Sequence, residues 1–350
     1  MVKLDFLHAF LAPLHDLLDE PSVSEISYNG DRLWIERNGR MLPDERVLTA
    51  SRVVDLISVL ARSVGREVMC VADRSALLDA RMEGFRVAAV LPPVALRGPV
   101  FSIRRHAERS IPLASYLPAT DVQSPGHRLR QPLLPTTRAE LLSWLESLLA
   151  APLNVLVSGG TSTGKTSFIN SLLRGIPPTE RVLTLEDTAE LRVEVPNWVA
   201  LEAHPDHDLQ LRDLVRMALR LRPDRILVGE IRGAEAFDLM QALNTGHSGA
   251  ATLHANSALA ALHRLETLTL SANVGWPLAA IRNQIANTVD YVIHLTRRAG
   301  SREIGEVLAL RGTNDDGNYQ HIRIWPPAGI PTAPERDPSP TTHKPEVVYT

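Results

Sequence analysis

The sequence has a single cysteine, Cys70, among 350 residues. One cysteine cannot form a disulfide within the chain, and it excludes a zinc site built from several cysteines. No apolar run reaches the roughly 18 residues that a membrane-spanning helix needs. Acidic and histidine side chains interrupt the leucine-rich first twenty residues, which argues against a signal peptide. These absences predict a reduced, cytoplasmic protein.

The chain also lacks a net positive charge and has few aromatic side chains. The chain carries 37 Lys and Arg against 40 Asp and Glu, a formal charge of −3, and its aromatic content is 5%. Proteins that track single-stranded nucleic acid need a basic groove with aromatic rings for stacking. Direct nucleic-acid binding is therefore not expected. Lysine occurs only at Lys3, Lys165 and Lys344, so Lys165 stands out in a chain that otherwise uses arginine.

The hydrophobic content of 44% is enough for packed cores, and the length favours about two domains. Residues 1–105 combine short strands and Asn-Gly turns with one amphipathic helix, capped by Ser51, which predicts a small α+β domain. Residues 106–135 are proline-rich with little periodicity and are predicted to be a linker. From 136 to 312, apolar strands alternate with helical patterns, which is typical of a parallel α/β sheet. Residues 313–350 are predicted to be a disordered, proline-rich tail.

One glycine-rich stretch carries the strongest chemical signal. It fits the pattern G-x-x-x-x-G-K-[ST], and it lies between the apolar strand NVLVS and a helical pattern. Its members are Gly159, Gly160, Thr161, Ser162, Thr163, Gly164, Lys165 and Thr166. In such a loop the backbone N–H groups surround the β-phosphate, the lysine neutralises the β- and γ-phosphates, and the hydroxyl coordinates Mg²⁺. The stretch predicts an ATP site with Mg²⁺; an incidental lysine in a Gly/Thr-rich loop is the alternative.

A second strand ends in ILVG and is followed by Glu230. Ligands of open α/β sheets bind at the carboxyl ends of the strands, where this side chain emerges. Gly229 stands where many P-loop proteins place a metal-binding aspartate, so Glu230 is the acid available there. It could polarise the attacking water, hold Mg²⁺ through water, or do both. The alternative is a surface glutamate that caps a helix.

Two further segments are candidates for the same site. The stretch TLEDTAE places Glu186 in a group of three acids, which suits metal or water positioning or arginine partners, or else a solvated turn. His247 and His254 bracket the short strand that contains AATL. This placement would let them report the state of the γ-phosphate to another surface, although a single histidine is usually structural.

Together these motifs resemble the four sequence boxes of the secretion traffic ATPases, which serve type II and type IV secretion, conjugal DNA transfer and type IV pili. The stretch from Arg220 to Ser257 resembles this superfamily almost continuously. The segments SYNGDRLWIERNGR and FRVAAVLPPVALRGPVFSIRR resemble the amino-terminal domain of the type IV secretion and conjugal-transfer branch. The resemblance covers residues 23–311. It implies an α/β fold with a P-loop, RecA-like ATPase domain in the carboxy-terminal part and a smaller α+β domain before it.

The resemblance also implies a hexameric ring that hydrolyses ATP between subunits at the cytoplasmic face of the inner membrane, with membrane secretion or pilus components as partners. If the residues have the roles of the matching residues in this family, Glu230 would be the catalytic carboxylate and Glu186 would help to position metal or water. The two histidines would couple nucleotide state to movement. Arg86 and Arg104 match arginines that reach from the amino-terminal domain toward the terminal phosphates. Solvent-facing arginines at a strand edge are the alternative for both.

The branch and the activity leave alternatives open. A tetracysteine zinc module, usual in the assembly ATPases of type II secretion, cannot be built with Cys70 alone. This leaves the conjugal-transfer and type IV secretion branch, Tad-type pilus motors or pilus retraction motors, and the amino-terminal strand motifs favour the first two. A nucleotide-dependent assembly scaffold with little hydrolysis is the alternative of a different class.

Overall fold

The computed structural model describes residues 11–82, 84–105, 134–298 and 300–326. Most of the predicted linker, the first half of the predicted amino-terminal helix and residues 327–350 of the predicted tail lie outside the described residues. Within the described ranges, no helix is both long and apolar enough to cross a membrane.

The amino-terminal part forms one antiparallel sheet of six strands with a helix packed on it. The strands, in chain order, are β1 (Val23–Asn29), β2 (Leu33–Arg37), β3 (Arg40–Asp44), β4 (Leu77–Met82), β5 (Phe85–Val90) and β6 (Val100–Arg105). Their spatial order is β3-β2-β1-β6-β5-β4. The helices are α1 (His15–Asp19) and α2 (Ala50–Ser63). Thr49 rather than Ser51 caps α2, because its side chain accepts a hydrogen bond from the backbone N–H of Arg52.

The carboxy-terminal part is built on an eight-stranded sheet. Its strands are β7 (Asn154–Gly159), β8 (Val182–Glu186), β9 (Trp198–Glu202), β10 (Arg225–Val228), β11 (Ser248–Leu253), β12 (Tyr291–Arg298), β13 (Ser301–Thr313) and β14 (Tyr319–Trp325). The order is β14-β13-β12-β7-β11-β10-β8-β9. The six strands from β12 to β9 are parallel, and β13 and β14 extend the sheet as antiparallel strands. Parallel strands all begin at one edge of the sheet and end at the other, which we call its amino edge and its carboxyl edge.

Helices connect these strands, as the alternating pattern predicts. They are α3 (Arg138–Leu148), α4 (Lys165–Leu172), α5 (Leu211–Ala218), α6 (Glu235–Asn244), α7 (Ala258–Leu270) and α8 (Leu278–Thr288). The predicted capping box at the start of α3 is present, with Thr137 and Glu140 exchanging hydrogen bonds with each other's backbone N–H groups.

The last strand overturns part of the predicted tail. Residues 319–325 form β14 and pair with β13, so the ordered sheet extends past residue 313. Tyr319 and Ile324 are buried, whereas most of the residues between them are exposed. A short edge strand with few buried side chains gives only a weak hydrophobic pattern, which explains why the sequence does not reveal it.

Buried polar groups join the two parts of the chain. The guanidinium of Arg181 is completely buried and donates hydrogen bonds to Asn29 of β1, at 2.6 Å, and to Asn197, at 2.8 Å. Burial lowers the pKa of Arg181 to about 10. Close by, Arg222 donates to Glu36 of β2, with Nε and Oε1 separated by 3.0 Å. A hydrophobic cluster also runs through both sheets.

Candidate nucleotide-binding site

The glycine-rich loop has the strand–loop–helix setting that the sequence predicts. It leaves β7 at Gly159 and enters α4 at Lys165. Gly164 has a φ of +88°, which L-residues with side chains rarely adopt. A Cβ atom on Gly159 would lie 2.5 Å from Oγ1 of Thr163 and 2.7 Å from the carbonyl oxygen of Leu295. Glycine is therefore required at both ends of this loop.

Lys165 lies inside the loop and is mostly buried. Its Nζ donates to the carbonyl oxygens of Gly159, at 3.3 Å, and Gly160, at 3.2 Å, and lies 3.2 Å from Nδ1 of His254. Burial lowers the pKa of Lys165, and the charge of Glu230 opposes that shift. The ammonium group is thus held where P-loop proteins bind the β- and γ-phosphates.

His254 connects the lysine with the carboxylate predicted to be catalytic. Its Nε2 lies 3.1 Å from Oε1 of Glu230. Because an ammonium group can only donate, Nδ1 of His254 accepts from Lys165, and the ring proton on Nε2 is donated to Glu230. The imidazole therefore bridges Lys165 and Glu230.

The second oxygen of Glu230 contacts an arginine that the sequence patterns do not single out. Arg232 donates from NH2 to Oε2 of Glu230 at 3.0 Å, and this hydrogen bond raises the pKa of Arg232. Its NH1 lies 3.7 Å from Oδ2 of Asp187. Burial raises the pKa of Asp187, against the effect of Arg232. The only signal in the sequence is the position of Arg232, two residues after Glu230.

Glu186 lies against Gly229, the residue before Glu230, and is buried to 3% exposure. Its Oε1 accepts hydrogen bonds from the backbone N–H groups of Glu190 and Leu191, both at 2.9 Å. Burial raises the pKa of Glu186 in spite of these bonds. A Cβ atom on Gly229 would come within 2.9 Å of Cγ of Glu186, so the glycine before Glu230 makes room for this second carboxyl group.

The chemistry of the site fits Mg²⁺ that arrives with a nucleotide. Thr166 is half-buried in the first turn of α4, and its hydroxyl makes no hydrogen bond with any described residue. A hydroxyl and the Glu230 carboxylate are hard oxygen ligands of the kind that Mg²⁺ prefers. No group of three metal-binding side chains exists among the described residues. Nucleotide-bound Mg²⁺ commonly takes one or two protein ligands besides phosphate and water, and Thr166 and Glu230 would be those ligands.

A buried histidine supports the loop from the neighbouring strand. His294 on β12 has its Nδ1 3.0 Å from Oγ of Ser158, the residue before Gly159. Burial, and secondarily the charge of Lys165, lowers the pKa of His294 to about 4. The ring is therefore neutral near pH 7. The sequence gives no hint of this contact, because Ser158 and His294 are far apart along the chain.

Three of the predicted site residues lie elsewhere in this chain. His247 precedes β11 at the amino edge of the sheet, and its Nδ1 lies 3.0 Å from the carbonyl oxygen of Ala242. Six residues of β11, at about 3.3 Å each, place it roughly 20 Å from His254. His247 lines an open cleft of about 540 Å³ together with Arg104 and Arg222. Only His254 therefore lies at the P-loop of its own chain, and the predicted coupling of nucleotide state to movement by the two histidines stays a prediction.

Arg86 and Arg104 also lie at the amino edge. Arg86 pairs with Asp79 at 3.1 Å, and Nε of Arg104 is 3.4 Å from Oε2 of the buried Glu25. A small cavity beside that cleft brings four guanidinium groups next to one carboxyl group, whose pKa is raised by burial. It is lined by Glu25, Arg86, Arg104, Leu219, Arg220 and Arg222. Neither predicted arginine reaches the P-loop of its own chain, and the sequence patterns do not reveal the role of Arg220 and Arg222.

Comparison with known proteins gives concordant matches. Residues 10–330 match the family described as Type II/IV secretion system protein. Conjugal transfer protein TrbB of Rhizobium radiobacter is 34% identical over 310 residues, which are 87% of this chain and 88% of the relative. Type IV secretion system protein PtlH of Bordetella pertussis is 35% identical over 307 residues, 83% of this chain and 90% of the relative.

A solved structure is similar over nearly the whole fold. The crystal structure of the VirB11 ATPase from the Brucella suis type IV secretion system, in complex with sulphate, aligns with a TM-score of 0.74 at 26% sequence identity. The alignment covers 87% of this chain and 94% of that structure.

Proposed function

Because this chain belongs to the family of type II/IV secretion system proteins, we propose that it is the ATP-hydrolysing motor of a type IV secretion or conjugal-transfer system. The observation that carries this proposal is the linked set Lys165–His254–Glu230 at the mouth of the P-loop. A phosphate-binding lysine and a half-buried carboxylate share one histidine, which is an arrangement suited to hydrolysis and not only to nucleotide binding.

In this proposal, the P-loop backbone and Lys165 bind the polyphosphate of ATP, and Thr166 and Glu230 hold Mg²⁺, the latter directly or through water. When bound, Mg²⁺ would supply positive charge that offsets the charge of the phosphates. Lys165 turns from His254 toward the phosphates. Glu230 orients the attacking water and accepts its proton, while Glu186 keeps the neighbouring loop in place. His254 loses its contact with Lys165 when the lysine turns, so the contact between His254 and Glu230 then depends on the nucleotide state.

The arginines at the amino edge act on a neighbouring protomer. In a hexameric ring, the amino edge of one subunit would face the P-loop of the next, so that Arg86 and Arg104 approach a nucleotide bound there. The side chain of Arg104 is 63% exposed and that of Arg86 39%. Four arginines line their cavity, and a guanidinium keeps its charge when it approaches an anion. These guanidinium groups would stabilise the charge of the transition state only when the subunits close on ATP.

The setting proposed for this motor is the cytoplasmic face of the inner membrane, where secretion components of the membrane would be its partners. This placement rests on the relatives, which are named as type IV secretion and conjugal transfer proteins.

The test of the proposed function is the ATPase activity of the purified full chain with Mg²⁺, compared with Glu230→Gln. We expect the variant to lose at least 100-fold in turnover while its affinity for ATP stays within about threefold. Glu194→Gln, an exposed glutamate paired with Arg174, is the matched control. Equal, very low rates in the parent and in Glu230→Gln would instead favour an assembly scaffold.

The role of the arginines is tested with mixed rings. Arg86→Ala and Arg104→Ala should each depress turnover at least tenfold with little effect on ATP binding. A ring that mixes Arg104→Ala subunits with Glu230→Gln subunits should recover activity, since some intact P-loops would face intact arginines. Absence of recovery, or unchanged turnover in both single variants, would show that these arginines do not act across subunits.

A further inference from the structure

The hairpin of β12 and β13 extends beyond the carboxyl edge of the sheet, next to the phosphate-binding loop. In the register of β12 with β7, Leu295 lies opposite Gly159, the last residue of β7. β12 continues for three more residues to Arg298, and β13 returns from Ser301. The end of this hairpin therefore lies alongside the P-loop.

One side chain of the hairpin touches the loop itself. A Cβ atom on Gly164 would meet Arg302 at 2.9 Å from Cδ, 3.2 Å from NH1 and 3.3 Å from Nε. The aliphatic part of Arg302 thus packs on Gly164, and its guanidinium lies beside the loop that precedes Lys165. Arg302 is exposed and makes no hydrogen bond or ion pair with any residue that the structure describes.

Arg298, another arginine of the same hairpin, is different. Arg298 is paired with Glu303, with 3.2 Å between Nε and Oε1. It thus has a carboxylate partner on its own hairpin. Arg302 has no such partner among the described residues, and its side chain lies against the P-loop.

We propose that Arg302 is a phosphate-binding residue of the nucleotide site, supplied by the same protomer as the P-loop. This inference rests on the proposed function. The N–H groups around Gly164 belong to the loop that surrounds the β-phosphate, so a guanidinium packed on Gly164 lies beside the polyphosphate and not beside a distant base. The buried ammonium group of Lys165 offers one positive charge from inside the loop. The planar guanidinium group of Arg302 adds donors that can bind two phosphate oxygens at once. Arg86 and Arg104 would then come from a neighbour, whereas Arg302 would bind before subunits close.

The experiment measures binding of ATP and of inorganic tripolyphosphate by calorimetry to the full-length parent, Arg302→Ala and Arg302→Lys. We expect Arg302→Ala to weaken both ligands about tenfold or more, as loss of a charged hydrogen bond does, and Arg302→Lys to weaken them less. Arg298→Ala is the matched control and should stay within twofold of the parent. The melting temperature without ligand should be unchanged in every variant, and Arg302→Gln replaces Arg302→Ala if the alanine variant does not fold.

The outcomes separate this inference from the function on which it rests. Unchanged binding of both ligands by Arg302→Ala would overturn the inference and leave the motor proposal intact. Weaker binding of ATP with unchanged tripolyphosphate would overturn it as well, since the contact would then be with the nucleoside. A parent protein that binds neither ligand would refute the proposed function itself.

Discussion

The two edges of the ATPase sheet carry charges in different ways. At the carboxyl edge, Lys165, His254 and Glu230 form a continuous chain of contacts within one domain, next to a loop whose backbone is fixed by glycine. At the amino edge, His247 lines a cleft together with Arg104 and Glu36 of the amino-terminal domain, and neither His247 nor Arg104 contacts the P-loop.

This difference follows from the parallel sheet and has a functional consequence. Parallel strands place all their carboxyl ends together, so residues that follow β7, β8, β10 and β11 converge on one nucleotide. Residues that precede the same strands meet about 20 Å away, where they face the other domain. β11 is buried along its length and links His247 to His254. A motif that looks like one histidine pair therefore spans both edges, and only one of its members can contact the nucleotide of its own chain.

The largest expected effect separates the two histidines. His254→Asn should lower ATP turnover about 100-fold, because the bridge between Lys165 and Glu230 is lost. His247→Asn should lower turnover less than tenfold and leave ATP binding unchanged, because the residue lies at the opposite edge. Steady-state ATPase assays and calorimetric ATP titrations of the two full-length variants measure this contrast. An equal loss of turnover in both variants would contradict the division into two edges.

The sequence predicts the carboxyl edge well, because its signals are local. The P-loop, the strand that ends before Glu230 and the acidic segment around Glu186 each combine an apolar run with polar residues at its carboxyl end. The rule that ligands bind where parallel strands end then brings them together. The structure places Lys165, Glu186, Glu230 and His254 at that edge.

Contacts between distant segments could not be predicted in this way. Arg302 reaches the P-loop only because β13 returns beside β12, and His294 meets Ser158 only through the register of two strands. β4 and β14, both edge strands, have weak hydrophobic patterns and are not apparent in the sequence. The position of Arg86 and Arg104 depends on how the two sheets pack, which no local motif encodes. Their role across subunits therefore stays a proposal.

A smaller effect is expected for the charges that join the domains at the amino edge. Arg222 is 19% exposed and its partner Glu36 11%. Burial opposes ionisation of Glu36, but hydrogen bonds from Arg222 and Ser24 prevail and lower its pKa. Arg222→Gln should therefore lower the free energy of unfolding by about 2 kcal/mol, less than the roughly 3–5 kcal/mol for breaking a fully buried pair. Urea unfolding at pH 7 measures it.

The control for this effect is an ion pair of similar chemistry on the surface. Arg174 and Glu194 are 74% and 75% exposed, so Arg174→Gln should change the unfolding free energy by no more than about 0.5 kcal/mol. Similar losses in Arg222→Gln and Arg174→Gln would mean that the amino edge is no more than a solvated surface. The comparison of the two edges would then lose its structural basis.

The smallest effect at pH 7 is expected at the carboxyl edge for His294, whose contribution to stability depends on pH. In the unfolded chain His294 binds a proton below about pH 6.5, whereas the folded protein keeps the ring neutral down to about pH 4. Between these values the unfolded state binds more protons, so stability falls as the pH is lowered, by up to about 1 kcal/mol per pH unit. His294→Asn removes this contribution, and its stability should decline less steeply than that of the parent between pH 6.5 and 4.

At pH 7 the same variant should be less stable than the parent by about 1 kcal/mol, because the contact with Ser158 is disturbed. This difference in unfolding free energy should shrink or reverse toward pH 4.5, because His294 of the parent then binds a proton in the unfolded chain but not in the folded protein. Urea unfolding at several pH values measures both effects, and His321→Asn, on the exposed side of β14, serves as the control. Parallel pH profiles for parent and His294→Asn would show that the ring titrates in the folded protein as it does in water. The side of the P-loop that faces His294 would then be accessible to water, and the carboxyl edge would not be a buried, preorganised site.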